Sequence, residues 1–373
     1  MLDNKTAEDL GNKGTAIVVG ASLAGLMAGI ALAQQGIHIT ILEKAENKAR
    51  SGSGLQVEGK RMERSKTAKI LQKIVSGGKT SIQLWSTLES RLRKEAFSHS
   101  NIDIHYNVFV QAINQDDASA WVYTKDEKTF HADIIIGADG HRSTVRRLVA
   151  PHKPNAMYAG YVVWVIDTIN ENELPLKLRP TNQDLGVNMF QGPHGFLFGN
   201  IIDNPDEVAG EGKRQLGCAW YDNTKTDLLY EIGCVEENVV HHSLKGPDIP
   251  KDTIEELAED ARTIWPEPWR STTLRALQKR GLTGIPVKEY IPDNLMKARI
   301  ALVGDAAHVP APITASGFNQ SLEDAIVLGD CVANGVAGEN AVLAMEVYEA
   351  KRLNKVRRIV KSGKSFGASF GRF

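Results

Sequence analysis

A chain of 373 residues with 42% apolar and 24% charged residues has the make-up of a soluble globular protein too long for one typical domain. A formal net charge of −1 excludes a general attraction to nucleic acid or anionic membrane, and 3 cysteines without a CxxC pair support neither a disulfide framework nor a metal centre. No apolar run reaches the ~20 residues that span a bilayer, and the polar start MLDNKTAEDLGNKG lacks a signal-peptide core, so a cytoplasmic protein without stable membrane insertion is expected.

Residues 15–43 read TAIVVGASLAGLMAGIALAQQGIHITILE. Ile17, Val18 and Val19 form a β-branched run suited to a buried parallel strand. A helical pattern then runs to Gln35, where Gly36 stops it, and a second strand over residues 37–42 ends at Glu43. This β-α-β unit carries Gly20-x-Ser22-x-x-Gly25, a variant of the dinucleotide-binding fingerprint. Gly20 permits the tight turn into the helix. Ser22, Leu23 and Ala24 open that helix, whose free N–H groups suit a pyrophosphate, and Gly25 lets helix and sheet approach closely. Glu43 is placed to accept hydrogen bonds from an adenosine ribose. A cofactor-free core of the same shape is the alternative.

Residues 44–79 are polar and basic, contain Gly52 and Gly54, and finish in a helix; a second helix over residues 81–96 places Leu84, Leu88 and Leu92 on one face. Strands at 102–106, 109–113 and 120–124 form a meander that turns at Asp116 and Asp117. Ile134, Ile135 and Ile136 make another buried strand leading into Asp139-Gly140-His141-Arg142-Ser143 and Arg146. Alternating segments at 158–166, 184–190, 195–202 and 215–221 predict a largely antiparallel sheet with one face toward a pocket, closed by a helix over 252–264. A last buried strand, 299–303, runs into Gly304-Asp305-Ala306-Ala307-His308. Pro310, Pro312 and Gly317-Phe318-Asn319 then open a helix with Leu322, Ala325, Ile326 and Gly329 on one side. A basic amphipathic helix through Arg352, Arg357 and Arg358 fades into a Gly/Ser-rich end; a solvated face packed on the domain is favoured over a membrane or partner helix.

GxSxxG, DGxRSxxR, and GDAAH with GFN, in that order, together resemble the single-component aromatic flavin hydroxylases, the para-hydroxybenzoate hydroxylase family. YAGYVVW (158–164), CAWYD (218–222) and YEAKR (348–352) resemble its N-heteroaromatic branch, such as the 2,6-dihydroxypyridine and 6-hydroxynicotinate hydroxylases. The resemblance implies an α/β fold with a Rossmann-like FAD-binding domain of that type, formed from residues 14–150 and 284–338. It implies an interleaved, mainly antiparallel substrate domain at 151–283 and a C-terminal helical tail at 339–373. Asp305 would meet the ribitol chain beside Gly304, and Pro312 the reactive face of the flavin. The amides of Phe318 and Asn319 after Gly317 would face its pyrimidine edge. Asp139 and Gly140 would touch FAD and the approaching nicotinamide, with Arg146 supporting the turn. Lys44 stands where the family often has arginine, and Gln83 is the near match to a ribitol-binding side chain. The stretch between Gly54 and Ser81 is shorter than the family's, which predicts a more open pocket or impaired turnover.

The implied chemistry is hydroxylation of a phenol or hydroxylated N-heteroaromatic by O2 through a flavin C4a-hydroperoxide. FAD is the cofactor and NADH or NADPH a transient co-substrate, since the chain has one nucleotide fingerprint. Tyr161, Trp164, Met189, Phe196 and Trp220 are candidates for the substrate pocket. Strand alternation sends about half of such side chains to the other face. His194, between Pro193 and Gly195, is a candidate to polarise a ring hydroxyl, against its reading as a turn histidine. No metal is expected, and a monomer or homodimer serves this chemistry. A flavin oxidase or dehydrogenase without oxygen insertion, or a flavin-binding protein with impaired turnover, is the alternative.

Overall fold

The run of β-branched residues at Ile17–Val19 is buried throughout, and the strand it makes is the spine of the first sheet. The computed structural model describes residues 13–48, 54–59, 65–181, 187–203 and 214–370. The expected N-terminal lead-in (but for Lys13), Gly52 and the first residues of the 184–190 segment lie outside them.

In chain order the first part comprises β1 (Thr15–Val19), α1 (Leu23–Ala33), β2 (His38–Leu42), β3 (Gly54–Val57), α2 (Lys66–Ser76), β4 (Ser81–Leu84), α3 (Trp85–Ser98) and β5 (Ile102–His105). A meander of β6 (Val110–Gln115), β7 (Ala120–Thr124) and β8 (Thr129–Ala132) precedes β9 (Ile134–Gly137) and the short α4 (Thr144–Val149). Next come β10 (Met157–Asn170), β11 (Val187–Gln191), β12 (Gly195–Asp203), β13 (Arg214–Asp222) and α5 (Thr226–Glu231). Three two-residue strands follow, β14 (Val235–Glu236), β15 (Val239–Val240) and β16 (Leu244–Lys245), then α6 (Lys251–Ile264), α7 (Trp269–Gln278) and β17 (Leu282–Glu289). β18 (Met296–Lys297), β19 (Ile300–Leu302), α8 (Gly317–Cys331) and α9 (Asn340–Phe370) complete the chain.

The first sheet has the order β18-β19-β9-β1-β2-β5, parallel except at β18. Parallel strands need crossovers, and α1, between β1 and β2, is one of them; all but one of its eleven residues are buried, so it sits deep between sheet and outer helices. One core joins these strands to α1, α2, α3, α8 and the meander's Val110, Ala120 and Val122. Fully burying an aliphatic side chain of this kind contributes about 1.5–3 kcal/mol.

The second sheet is antiparallel, with the path β11-β12-β13-β10 and β17 on the other side of β10. β17 pairs with β10 from Leu282 to Glu289, so the unit expected to end at residue 283 extends to the end of that strand. The helix expected over 81–96 begins instead at Trp85, because Ser81–Leu84 pair with Gly54–Val57. Among the described residues no helix is long and apolar enough to cross a membrane.

Candidate functional site

Gly20, Asp139 and Gly304 follow the carboxyl ends of β1, β9 and β19, adjacent strands of one sheet, so their loops open on the same edge. Gly20 has φ +106°, and a Cβ there would lie 2.5 Å from the Ala138 carbonyl oxygen; one on Gly304 would lie 2.6 Å from the Ala24 Cβ. Arg146 locks two of the loops together. Fully buried, it donates to the carbonyls of Asp305 (3.2 Å), Ala306 (3.1 Å), Pro154 (2.8 Å) and His141, and its guanidinium lies 4.3 Å from the Tyr290 ring centroid. It is therefore a staple behind the loops and not a cofactor contact.

Glu43 is buried, and its two carboxylate oxygens accept from the Ala21 and Ala45 amides at 2.8 Å. The expected ribose acid thus also braces the fingerprint loop. Neither α1 at Ser22 nor α8 at Ser316 has a side-chain cap or a first-turn acid, so both helix N-termini keep amides to offer an anion. Leu23 is buried and Ala24 half-buried in the first turn of α1. Phe318 is buried in the first core, while Asn319 uses its side chain internally, accepting from Glu58 N at 3.2 Å and donating to the Gln56 carbonyl at 3.0 Å. That pins β3 to the start of α8.

Asp305 is exposed between the buried Gly304 and Ala306. Surrounding protein nevertheless raises its carboxyl through desolvation, opposed by His308, Lys288 and Arg146. Lys288 and Arg146 act on His141 as well: burial, then the charges of Lys288, Arg146, Arg142 and Lys44, push its imidazole down to about 3, so it is neutral at physiological pH. Asp139 accepts from Ser143 Oγ and from the Thr144 amide at 2.6 Å, at the start of α4. Gly140 has no atom within 4 Å of where a Cβ would stand. Gln83 donates to the Val75 carbonyl (2.9 Å) and accepts from Arg91 (2.8 Å).

The pleat of the second sheet sorts the pocket candidates. Tyr161 and Phe196 share one face with Val163, Tyr221 and Val287. Trp164 and Trp220 occupy the other, against α6 and α7; the Trp164 indole donates to Asp222 at 2.9 Å, and Trp220 meets Trp265 edge-on at 5.2 Å. Met189, 58% exposed on β11, belongs to neither core, and His194 is exposed in the β11–β12 turn. These four are not brought together with the cleft. The Tyr161 face is joined by Ile313, from the turn that Pro312 opens, and by Phe366 and Phe370 of α9. Phe370 stands edge-on to Tyr161 at 5.2 Å and 5.3 Å from Phe196; the aromatic face is covered, not open.

Sequence reasoning passed over Lys288, His141 and the two α9 phenylalanines. A family model described as "FAD binding domain" matches residues 13–84 and 83–362. A 3-hydroxybenzoate 6-hydroxylase from Klebsiella oxytoca is 24% identical over 94% of this chain and 87% of its own length. An FAD-dependent urate hydroxylase from Klebsiella pneumoniae is 22% identical over 92% of this chain and 87% of the relative. Among solved structures, 2,6-dihydroxypyridine-3-hydroxylase from Arthrobacter nicotinovorans superposes with a TM-score of 0.77 at 18% identity, covering 96% of this chain and 93% of that one. Klebsiella pneumoniae HpxO complexed with FAD and uric acid gives 0.68 at 20% identity, covering 96% and 89%.

Proposed function

We propose that this chain, which belongs to the FAD-binding domain family, is a monooxygenase that hydroxylates a phenol or hydroxylated N-heteroaromatic with NADH or NADPH and molecular oxygen. The observation that supports this best is the course of one loop. It leaves β19 at Asp305, in the cleft formed by the three motifs, and reaches the aromatic sheet face at Ile313. Cofactor loop and ring-binding face are thereby adjacent.

The residues present fit FAD. Two uncapped helix N-termini suit its pyrophosphate and the electron-rich edge of its ring, Gly140 borders open space, and Asp305 presents a carboxylate to a hydroxylated chain. Bound FAD supplies the redox chemistry, taking electrons from the nicotinamide and activating oxygen. The protein's part is to bind, orient and exclude water. Negative charge at the start of α8 is stabilised by about 0.3–1 kcal/mol. Lys44, Arg142 and Lys288 make the cleft cationic, which suits the phosphates of FAD and of a transiently bound nicotinamide. The chain works in the cytoplasm as a monomer or homodimer, without nucleic acid or membrane.

The test is NAD(P)H oxidation by FAD-loaded protein across phenols and hydroxypyridines, with product mass recorded. A substrate-stimulated rate with one added oxygen is expected. Stimulation without oxygen insertion would favour an oxidase or dehydrogenase, and no stimulation by any ring would sink the enzymatic reading. Asp305→Ala is expected to lower FAD affinity tenfold or more, while His194→Ala leaves affinity and turnover unchanged; equal effects would overturn this site map. Glu43→Ala should loosen FAD and also destabilise the apo-protein by about 1–3 kcal/mol, because two loop amides lose their acceptor.

A further inference from the structure

Where β10, β17 and the end of α9 meet, three buried polar atoms have no hydrogen-bond partner: Glu289 Oε1 and the hydroxyls of Tyr161 and Tyr290. Glu289 and Tyr290 line a cavity of about 200 Å³, walled also by Tyr158 and Ala159 of β10 and by Lys364 and Gly367 of α9. A Cβ on Gly367 would stand 3.4 Å from Glu289 Oε1 and 3.5 Å from the Tyr161 ring, so both groups converge under one point of the helix. One on Gly363 would stand 3.0 Å from Ala311 and Thr314, in the turn that carries Pro312. Four helical residues span about 6 Å, roughly the length of a phenol. The same face of α9 therefore reaches from the reactive turn to the unsatisfied carboxylate.

Buried polar atoms without partners are rare, and a carboxylate is the most expensive of them. The recess mixes tyrosines and alanines with Lys153, Asn155 and Lys364, none of which bonds Oε1, so a ligand hydroxyl is a donor that would satisfy it. We propose that Glu289 is the catalytic base of the hydroxylation, its Oε1 accepting the substrate's ring hydroxyl. This rests on the hydroxylase reading above. In the step the substrate O–H bond breaks and a Glu289 O–H bond forms; the electron pair stays on the ring oxygen and enriches the ring for attack on electrophilic oxygen. No other reactant is consumed.

Burial lifts the Glu289 carboxyl to about 6, against the pull of Lys364. The titratable groups around it are Lys364 of α9, Tyr161 of β10 and the adjacent Tyr290, over whose ring Lys153 lies at 5.7 Å; Lys288, its neighbour in β17, acts on Asp305. A base of this kind works only when ionised, so activity falls as pH drops through about 6.

The experiment uses FAD-loaded protein with two probe pairs, phenol against anisole and 2,6-dihydroxypyridine against its dimethyl ether. Binding is read from the flavin absorbance without NAD(P)H. Wild type is expected to prefer the free hydroxyl about tenfold or more, and Glu289→Leu to erase the preference with FAD content unchanged. Glu289→Gln keeps the shape and removes a buried charge, so it should melt no lower than wild type. Its substrate-stimulated turnover should nevertheless fall by roughly 10²–10⁴, with the acid limb near pH 6 gone. Turnover in wild type with Glu289 variants that keep both the preference and the acid limb overturns this assignment alone. A wild type that binds none of the probes and is stimulated by no ring overturns the hydroxylase reading and this one with it.

Discussion

Arg352→Ala is expected to destabilise the protein by about 3–5 kcal/mol and to release FAD, although Arg352 sits in the C-terminal helix and in no cofactor motif. The reason is Asp324 of α8, which is fully buried. Its carboxylate accepts from Arg352 Nε at 2.7 Å, His308 Nε2 at 2.7 Å and the Gly304 amide at 2.9 Å, while Arg352 also reaches the Gln320 side chain at 3.0 Å. Burial alone would raise this carboxyl, but His308 and Arg352 outweigh it and hold it below the usual carboxylate range. A folded-state value below the unfolded one means stability that is complete above about pH 4 and lost as pH falls through the depressed value. Removing the guanidinium leaves a buried charge half-compensated and frees the loop that positions Asp305. Urea unfolding across pH 3–8 should show a smaller acid loss in the variant than in wild type, because without the guanidinium the Asp324 value moves up toward the unfolded one. Adding Asp324→Asn, which removes the charge but keeps an acceptor for Gly304, should recover most of the stability and the FAD. If the double variant is no better than the single one, the coupling assigned to this pair is wrong.

This network also shows why part of the site was legible and part was not. β1, α1 and β2 announced themselves because a strand buried on both faces, a glycine turn and a helical period are local properties, all contained in residues 15–43. Asp305 was marked by the GDAAH motif at the end of a buried strand, and its role came from the resemblance that motif carries. The sheet faces were not. Tyr161, Val163 and Val165 point one way and Val162, Trp164 and Ile166 the other, yet every one of them is apolar, so the alternation carries no phase. Trp164 and Trp220 therefore stand as candidates beside Tyr161 and Phe196 in the sequence, although the fold puts them on the opposite face.

Lys288 stands in PVKEY with nothing local to mark it; its meaning comes from Asp305 across a fold-level contact. The tail misled most. Gly363, Ser365 and Gly367 read as a fading end, since each helical glycine costs about 1 kcal/mol relative to alanine. In the fold α9 continues to Phe370, because those glycines let it lie against Ala311 and Tyr161 and bring Phe366 and Phe370 onto the aromatic face. The Asn223 amide holds the last turn by donating to the Phe370 carbonyl at 2.7 Å. One helix thus braces the Gly304 loop through Arg352 and Asp324 and roofs the aromatic sheet face a few turns later.

Gly25→Ala should abolish FAD binding outright, the other change in this chain with an effect of that size. A Cβ at position 25 would lie 1.8 Å from the Gly20 carbonyl oxygen and 3.3 Å from the Ala138 Cβ. The first contact is with backbone, so no side-chain rotation relieves it. Either α1 moves away from the sheet or the Gly20 turn opens, and both displace the first-turn amides proposed to meet the pyrophosphate. Overpacking of a core typically costs about 1–3 kcal/mol, and a backbone collision belongs at the upper end or beyond. Gly77→Ala is the control. That residue has φ +55° with nothing within 4 Å, so it feels only backbone strain, about 1 kcal/mol, at the end of α2. Urea unfolding and FAD content after gel filtration separate the cases: Gly77→Ala should keep its flavin, and Gly25→Ala should emerge colourless even where enough folded protein survives to measure. A yellow Gly25→Ala protein with wild-type affinity would mean that the glycine serves helix packing alone and that the cofactor's phosphates lie elsewhere.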